Sequence, residues 1–417
     1  MAINEVTVTP VAFADPPLLN AAGVHQPWAL RSIVQVRMAG GQVGLGESYG
    51  DDTFLALLRK VSGQLIGLSP FDLNGLWSRI AGAIGGVDTP DAHGLTGPSS
   101  AEKSQARVFA AFEVAFLDLQ GKLTGQPVHA LLGGKVRTKV PFSAYLFYKW
   151  PGHPGSEPDD WGAALDPAGI VAQAHRMVDQ YGFSSLKLKG GVFPPEQEVA
   201  AIRALAAAFP DHPLRIDPNG AWTVDTSHKV AAELGGVLEY LEDPTPGRAG
   251  MAQVATLAPM PLATNMCVVA FADIPEAVRL GSVGIVLSDH HYWGGLRASS
   301  HLAALCDTFG WGLSMHSNSH LGISLAAMVH LAAATPNLRY ACDTHMPWAR
   351  DDVLRNPLSI VDGAIRVSDA PGLGVELDED ALARLHRQYR ECGITRRDDG
   401  AYQRQFEPDF IRRSAAW

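Results

Sequence analysis

Between Lys187 and His316, polar residues recur at the ends of short apolar runs: Lys187-Leu-Lys189, Asp217-Pro-Asn219, Glu242-Asp243, Asn265, Asp289 and His316. Asp217, Glu242 and Asn265 supply three oxygen donors, hard ligands that suit Mg²⁺ completed by water and a substrate oxygen. Lys187 and Lys189, two residues apart on a strand, point the same way. Like-charged neighbours should lower the pKa of at least one of them, giving a neutral amine able to take a proton. His316, with Asp289 at the neighbouring strand end, is an imidazole that a carboxylate can hold in one tautomer, as a general acid or base requires. Two bases would thus face each other across a metal. Taken singly, each group has a plainer role: Asp217-Pro-Asn-Gly as a turn, Glu242 as a helix-entry carboxylate, a lysine as a solvated strand end, His316 as a satisfied polar residue. Three oxygen donors in register on successive strands favour the metal.

The spacing says what must position these groups. They recur every ~23–30 residues, the length of one strand, one helix and two loops, and a parallel β/α barrel of eight such units brings strand-end residues together at one mouth in roughly 250 residues. Strands are expected at Val140–Tyr145, Ser185–Leu188, Leu214–Ile216, Val237–Leu241, Pro261–Ala263, Gly284–Leu287, Gly312–Met315 and Arg339–Cys342, with apolar-striped helices such as Pro167–Tyr181, Pro195–Phe209, Thr226–Leu234 and Gly295–Phe309 between them. Before Val140 the order differs. Glu5–Thr9, Ser32–Met38 and Val43–Glu47 alternate like an antiparallel meander, and helical patterns follow at Thr53–Ile66, Pro70–Ile84 and Ser104–Leu123. Strands followed by a run of helices describe an α+β domain. Two loops interrupt it, 14–27 and 85–100. After Ser359 a small meander and the turn-rich Asp369–Gly374 lead into a tail that can return to the first domain.

Composition fits a large enzyme. With 417 residues, 47% hydrophobic and 18% charged, the chain can bury a barrel core and still form a second domain. A formal net charge of −10 without a basic block disfavours a nucleic-acid partner and points to a small molecule. The start has no basic-then-apolar signal pattern, and no apolar run is long enough for a bilayer, so a cytoplasmic protein without membrane contact is expected. Cys267, Cys306, Cys342 and Cys392 lack disulfide density and metal-type spacing, and read as reduced thiols.

Several of these motifs resemble one family. Lys187-Leu-Lys189-Gly-Gly-Val, Asp217-Pro-Asn-Gly-Ala-Trp222, Glu242-Asp-Pro, Ala263-Thr-Asn265-Met, Ser288-Asp289 through Trp293, and His316-Ser-Asn318-Ser-His320 are similar to the glucarate dehydratase group of the enolase superfamily. Tyr145-Leu-Phe-Tyr, Asp343-Thr-His345 and Pro371–Asp378 resemble the same group, as does an Asn at position 265 in place of a third carboxylate ligand. The resemblance implies an α/β fold, a modified (β/α)8-type barrel, with an α+β capping domain formed by residues 1–135 and the tail 369–417 over a barrel at 136–368. It implies Mg²⁺ held by Asp217, Glu242 and Asn265, and removal of the proton α to a carboxylate. The pairing of a Lys or His base with Mg²⁺ for an ene-diolate is a known pattern of enolase-type sites. Lys189 would be the base on one face; His316, oriented by Asp289, would serve on the other. Lys187 and Asn219 would steady the oxyanion, and Asn318 would assist loss of the β-hydroxyl.

The same resemblance implies substrate contacts from Asn20, His25, Thr96, Tyr145, Ser317, His345 and Arg397, the last as a bidentate clamp on a distal carboxylate. The expected reaction is dehydration of D-glucarate and its epimer L-idarate to 5-keto-4-deoxy-D-glucarate by a homo-oligomer. Departures lie in the substrate-selecting parts: Gln26-Pro-Trp28 after His25, Gly94-Leu-Thr96, and Ser319-His-Leu-Gly322 without an acidic residue after the histidine. Alternatives are dehydration or epimerisation of another aldarate or aldonate, and a catalytically idle relative serving in binding or assembly.

Overall fold

The computed structural model describes residues 2–89, 99–411 and 415–417. The chain opens as a three-stranded antiparallel sheet, Ile3–Ala14, Trp28–Met38 and Val43–Tyr49. Helices Asp52–Ser62, Leu73–Ile84 and Ala101–Thr124 follow. The longest is capped by Ser100, whose hydroxyl accepts from Lys103 N, and stops at left-handed Gly125. It lies so close to the sheet that a Cβ at Gly44 or Gly46 would overlap its Ala115 and Ala111 carbonyls. Only glycine permits that approach.

Seven parallel strands then alternate with helices: Ala144–Phe147, Leu186–Lys189, Leu214–Asp217, Leu238–Glu242, Leu262–Thr264, Ile285–Ser288 and Gly312–Met315. Their order in the sheet follows the chain order. The outer faces join the main core with the helices, while Tyr240, Ala263, Ile285 and Leu287 form a separate small cluster. The result is a modified (β/α)8-type barrel under an α+β cap.

Two strand expectations are corrected. The segment Val140–Tyr145 divides: Lys139–Pro141 pairs antiparallel with Ala364–Arg366, and only Ala144–Phe147 enters the barrel. Pro141 cannot donate to a ladder, which favours the break. The proposed eighth strand, Arg339–Cys342, makes one parallel bridge, Phe142 with Cys342. Lys139–Pro141, which could have paired with its start, is already taken. It still closes the ring: Ser143 N donates to Cys342 O at 2.8 Å, and Asp343 N to Met315 O at 2.9 Å. The meander expected after Ser359 reduces to the strand Ala364–Arg366 and a bridge between Val361 and Ala364.

Cap and barrel are bolted together by buried carboxylates at helix N-termini, where unpaired N–H groups favour an anion. Glu47 accepts from Leu321 N and Ser324 N at the start of Gly322–Ala334. Glu113 accepts from Leu296 N and Arg297 N at the start of Gly295–Thr308. The tail packs back on the cap: His386 Nδ1 lies 2.7 Å from Pro10 O, and a Cβ at Gly23 would meet Asp399 O at 2.6 Å. Among the described residues, no helix is long and apolar enough to cross a membrane.

Candidate active site

Six of the sequence-predicted groups sit at or just beyond a strand end. Lys189, Asp217 and Glu242 are the last residues of their strands; Asn265, Asp289 and His316 directly follow theirs. In parallel strands of matched register such ends converge, and Lys189 pairs directly with Asp217. The loop after Lys189 is held by Glu198, whose carboxylate accepts from Gly191 N, Val192 N and Phe193 N. Burial pushes the Glu198 carboxyl up to about 7.

Above these ends lies a cavity of about 930 Å³ lined from barrel, cap and tail. Lys189, Asn219, Asn265, His316, Asn318 and His345 form its floor side, and Asn20, His25 and Arg397 its cap side, with Tyr145 also on the wall. Lys187, Asp217, Glu242 and Asp289 do not line it; each is at most 2% exposed. Ser317 is fully buried and does not line it either. Thr96 lies outside the described residues.

The oxygen donors form a charged knot. Asp217 Oδ2 accepts from Lys189 Nζ at 2.6 Å, and Asp217 Oδ1 from the backbone N of Asn219, a residue in left-handed conformation (φ 51). Glu242 Oε2 meets Lys187 Nζ at 2.6 Å without hydrogen-bond alignment, and Asp343 Oδ2 accepts from the same ammonium at 2.7 Å. Both Glu242 oxygens and Asn265 Oδ1 are buried without a hydrogen-bond partner. Burial, then Asp217, pushes the Glu242 carboxyl well above its usual range. Asp243, also left-handed (φ 34), accepts from Asn265 N at 2.8 Å and fixes that residue. Buried oxygens that lack hydrogen bonds, beside a second carboxylate, are what a hard divalent cation satisfies, so Asp217, Glu242 and Asn265 fit Mg²⁺.

Burial alone would push Lys187 down, but Asp343 and Glu242 hold it well above the ordinary lysine range. Lys187 is therefore kept as an ammonium, and the expectation of a neutral amine does not apply to it. Its Nζ lies 4.6 Å from the Tyr145 ring centre. On the other side, His316 Nδ1 lies 3.1 Å from Asp289 Oδ2. Burial opposes the Asp289 charge, yet His291 and its neighbours hold that carboxyl well below the usual range. A carboxylate at Nδ1 leaves His316 Nε2 as the atom for proton transfer. Asp289, His291 and His320 can bring ligand atoms within 4.8 Å of one another. Two of those donors are nitrogens, and His291 Nε2 lies 3.1 Å from the Arg31 guanidinium, so the oxygen set suits Mg²⁺ better.

At the cap side one expectation changes. Arg397 does not present a vacant fork: its Nε and Nη2 grip Asp399 at 2.9 and 2.7 Å, while Nη1 reaches Asn318 Oδ1 at 3.5 Å. Asn20 Nδ2 donates to the same Asp399 at 3.0 Å. His25 Nδ1 lies 3.0 Å from Asp15 Oδ2. Burial, then His25 and His316, lowers His345 well below the ordinary histidine range, so it is a neutral ring packed on Tyr145 and Phe147.

Sequence reasoning missed the roles of Asp343, Asp399, Arg31, Glu47 and His291. Asp343 was findable, since it continues the strand-end series after His316. Asp399 lies in a polar tail that carries no periodic signal.

Residues 169–381 match the family described as enolase C-terminal domain-like, and residues 3–133 match the mandelate racemase / muconate lactonizing enzyme N-terminal domain. A protein of Streptomyces coelicolor named probable glucarate dehydratase is 56% identical over 99% of this chain and 97% of its own. An enolase of Thermobispora bispora, crystallised with magnesium and formate, is 62% identical with a TM-score of 0.99, covering 100% of both chains. One from Pseudomonas fluorescens with bound magnesium, potassium and tartrate is 53% identical with a TM-score of 0.96, covering 100% of this chain and 99% of its own. Similarity of this extent leads to one conclusion: the chain belongs to the glucarate dehydratase group of the enolase superfamily.

Proposed function

We propose that this protein is a Mg²⁺-assisted acid-sugar dehydratase acting on D-glucarate and L-idarate. The observation that carries the reading is the placement of Lys189 and His316 in one cavity, above the oxygen donors Asp217, Glu242 and Asn265. When bound there, Mg²⁺ supplies positive charge that lowers the cost of forming a dianionic ene-diolate. The chain's own groups do the rest. Lys189 takes the α-proton presented on its side, or His316 takes it from the opposite epimer. The Asn219 amide, on the cavity lining, steadies the developing oxyanion, and the buried Lys187 ammonium, kept charged by Asp343 and Glu242, adds positive charge to the site. The C–O bond at the β-carbon then breaks, His316 Nε2–H delivers its proton to the departing hydroxyl as water leaves, and Asn318 donates a hydrogen bond to it. The resulting enol ketonises to 5-keto-4-deoxy-D-glucarate.

Asn20, His25, Tyr145, His345 and Arg397 read as contacts to the distal part of the diacid, Arg397 offering the edge that Asp399 leaves over. Thr96 and Ser317 remain in the proposal on the family resemblance alone. The same reading divides the chain into a cap of residues 1–135, a barrel of 136–368 and a returning segment of 369–417. It takes the protein as a cytoplasmic homo-oligomer without a nucleic-acid partner. Incubation with a panel of acid sugars and Mg²⁺, followed by keto-acid detection, tests it. D-Glucarate and L-idarate should yield one common product. No keto acid from any acid sugar overturns the reading.

A further inference from the structure

We propose that His291, held by Arg31 of the cap, is a positioning residue for His316; the inference rests on the two-base reading above. Arg31 Nη2 lies 3.1 Å from His291 Nε2. A guanidinium only donates, so Nε2 is the acceptor and the ring proton sits on Nδ1. Ser324 fits the same tautomer. Its Oγ accepts from Arg31 Nη2 at 3.2 Å, which leaves the hydroxyl proton for His291 Nε2 at 3.0 Å. His291 Nδ1 then donates to Asp289 Oδ1 at 2.8 Å, and His291 N to the same oxygen at 2.9 Å. With Oδ1 so occupied the carboxylate plane is fixed, and Oδ2 is left to His316 Nδ1 at 3.1 Å. His320 Nε2, at 3.8 Å, is beyond hydrogen-bond range of that oxygen.

The far end of this chain is anchored in the cap sheet. Arg31 is 1% exposed, and its Nε donates to Glu47 Oε1 at 2.7 Å. Glu47 also receives Leu321 N and Ser324 N, at the far end of the loop that begins with His316. One buried pair on adjacent cap strands therefore fixes both the loop carrying His316 and the carboxylate that aims it. The cap contributes to proton transfer on the His316 face as well as to substrate choice, and nothing in this chain of contacts reaches Lys189.

Proton NMR in D₂O, following α-proton exchange of D-glucarate and L-idarate separately, tests this. His291→Leu should slow exchange on the His316 face about 10–100-fold while the Lys189 face keeps its rate. His291→Asn, whose amide nitrogen can stand in for Nδ1, should restore most of the loss. Arg31→Met should slow the same face, and by less in the His291→Asn background, where no ring tautomer has to be set. Because Arg31→Met strands a buried Glu47 and can unfold the protein, the His291 pair decides the matter. Equal loss on both faces, or an unaltered rate in His291→Leu, overturns this inference alone. A wild-type protein that exchanges neither epimer overturns the two-base reading with it.

Discussion

Glu242→Gln separates the role of the oxygen knot in metal binding from any role in folding. Glu242 is fully buried, and Lys187 Nζ lies 2.6 Å from one of its oxygens. Removing a partner of a buried ion pair usually destabilises a protein by about 3–5 kcal/mol. Here two features oppose that loss. Lys187 keeps Asp343 at 2.7 Å, and the Glu242 carboxylate is itself disfavoured by burial and by Asp217. Because the folded state holds the Glu242 carboxyl above its ordinary value of 4.5, ionising it detracts from stability as pH rises beyond that value. At neutral pH and without metal, the Gln variant should therefore melt no lower than the wild type. Mg²⁺ should tell them apart. At a hundredfold excess over Kd, a ligand specific to the folded state stabilises by about 2.7 kcal/mol. Wild type should gain that increment and the variant almost none, while dehydration falls on the order of 10²–10³-fold. Thermal melts with and without Mg²⁺, alongside keto-acid formation, give both readouts. A variant that dehydrates normally and is stabilised by Mg²⁺ like the wild type would remove Glu242 from the metal site.

Two further outcomes are expected. Asp399→Asn should free Arg397 and loosen Asn20, raising KM about tenfold for diacid substrates with kcat little changed, because a binding rather than a bond-breaking contact is disturbed; steady-state kinetics would show the split. His330, buried and stacked on His129, has its pKa lowered by burial to about 4 from 6.5. The unfolded chain then takes up the proton first, so stability present above pH 6.5 is lost as pH falls toward 4, with this residue's share on the order of 3 kcal/mol. Denaturant titrations at several pH values should show a shallower acid loss in His330→Gln.

The barrel and its strand-end chemistry were legible because parallel strands impose a recurrence on the sequence. The recurrence marked Lys189, Asp217, Glu242, Asn265, Asp289 and His316 before any three-dimensional information. The helices Pro167–Tyr181 and Pro195–Ala208 were legible for a related reason, a stripe of apolar residues bounded by Pro at the start and, in the first, Gly182 at the end. What was hidden depends on contacts between distant segments. Arg31, just ahead of the expected strand Ser32–Met38, and Glu47, the last residue of Val43–Glu47, look like ordinary polar residues, yet they reach across to His291 and to the turn before Gly322–Ala334. Arg397 read as an unengaged cation for a different reason: Asp399 stands only two residues later, but the irregular tail that turns its carboxylate into the fork carries no periodic pattern. The ring closure by Asp343 without a full eighth strand was likewise invisible, since it depends on Ala364–Arg366 claiming Lys139–Pro141.

The central claim is that two bases work on opposite faces of one bound carboxylate. It is tested most directly by solvent deuterium entering the α-carbon of D-glucarate and of L-idarate, in the wild type, His316→Asn and Lys189→Ala. Wild type should label both epimers. His316→Asn should still label the epimer whose proton faces Lys189, with elimination slowed because the acid for the hydroxyl is gone, and Lys189→Ala should label only the other. Each lost exchange should be about 10²–10⁴-fold, as removal of a general acid or base typically costs. If both variants lose labelling of both epimers equally while still binding Mg²⁺, the two residues act as one unit and the two-face account is contradicted.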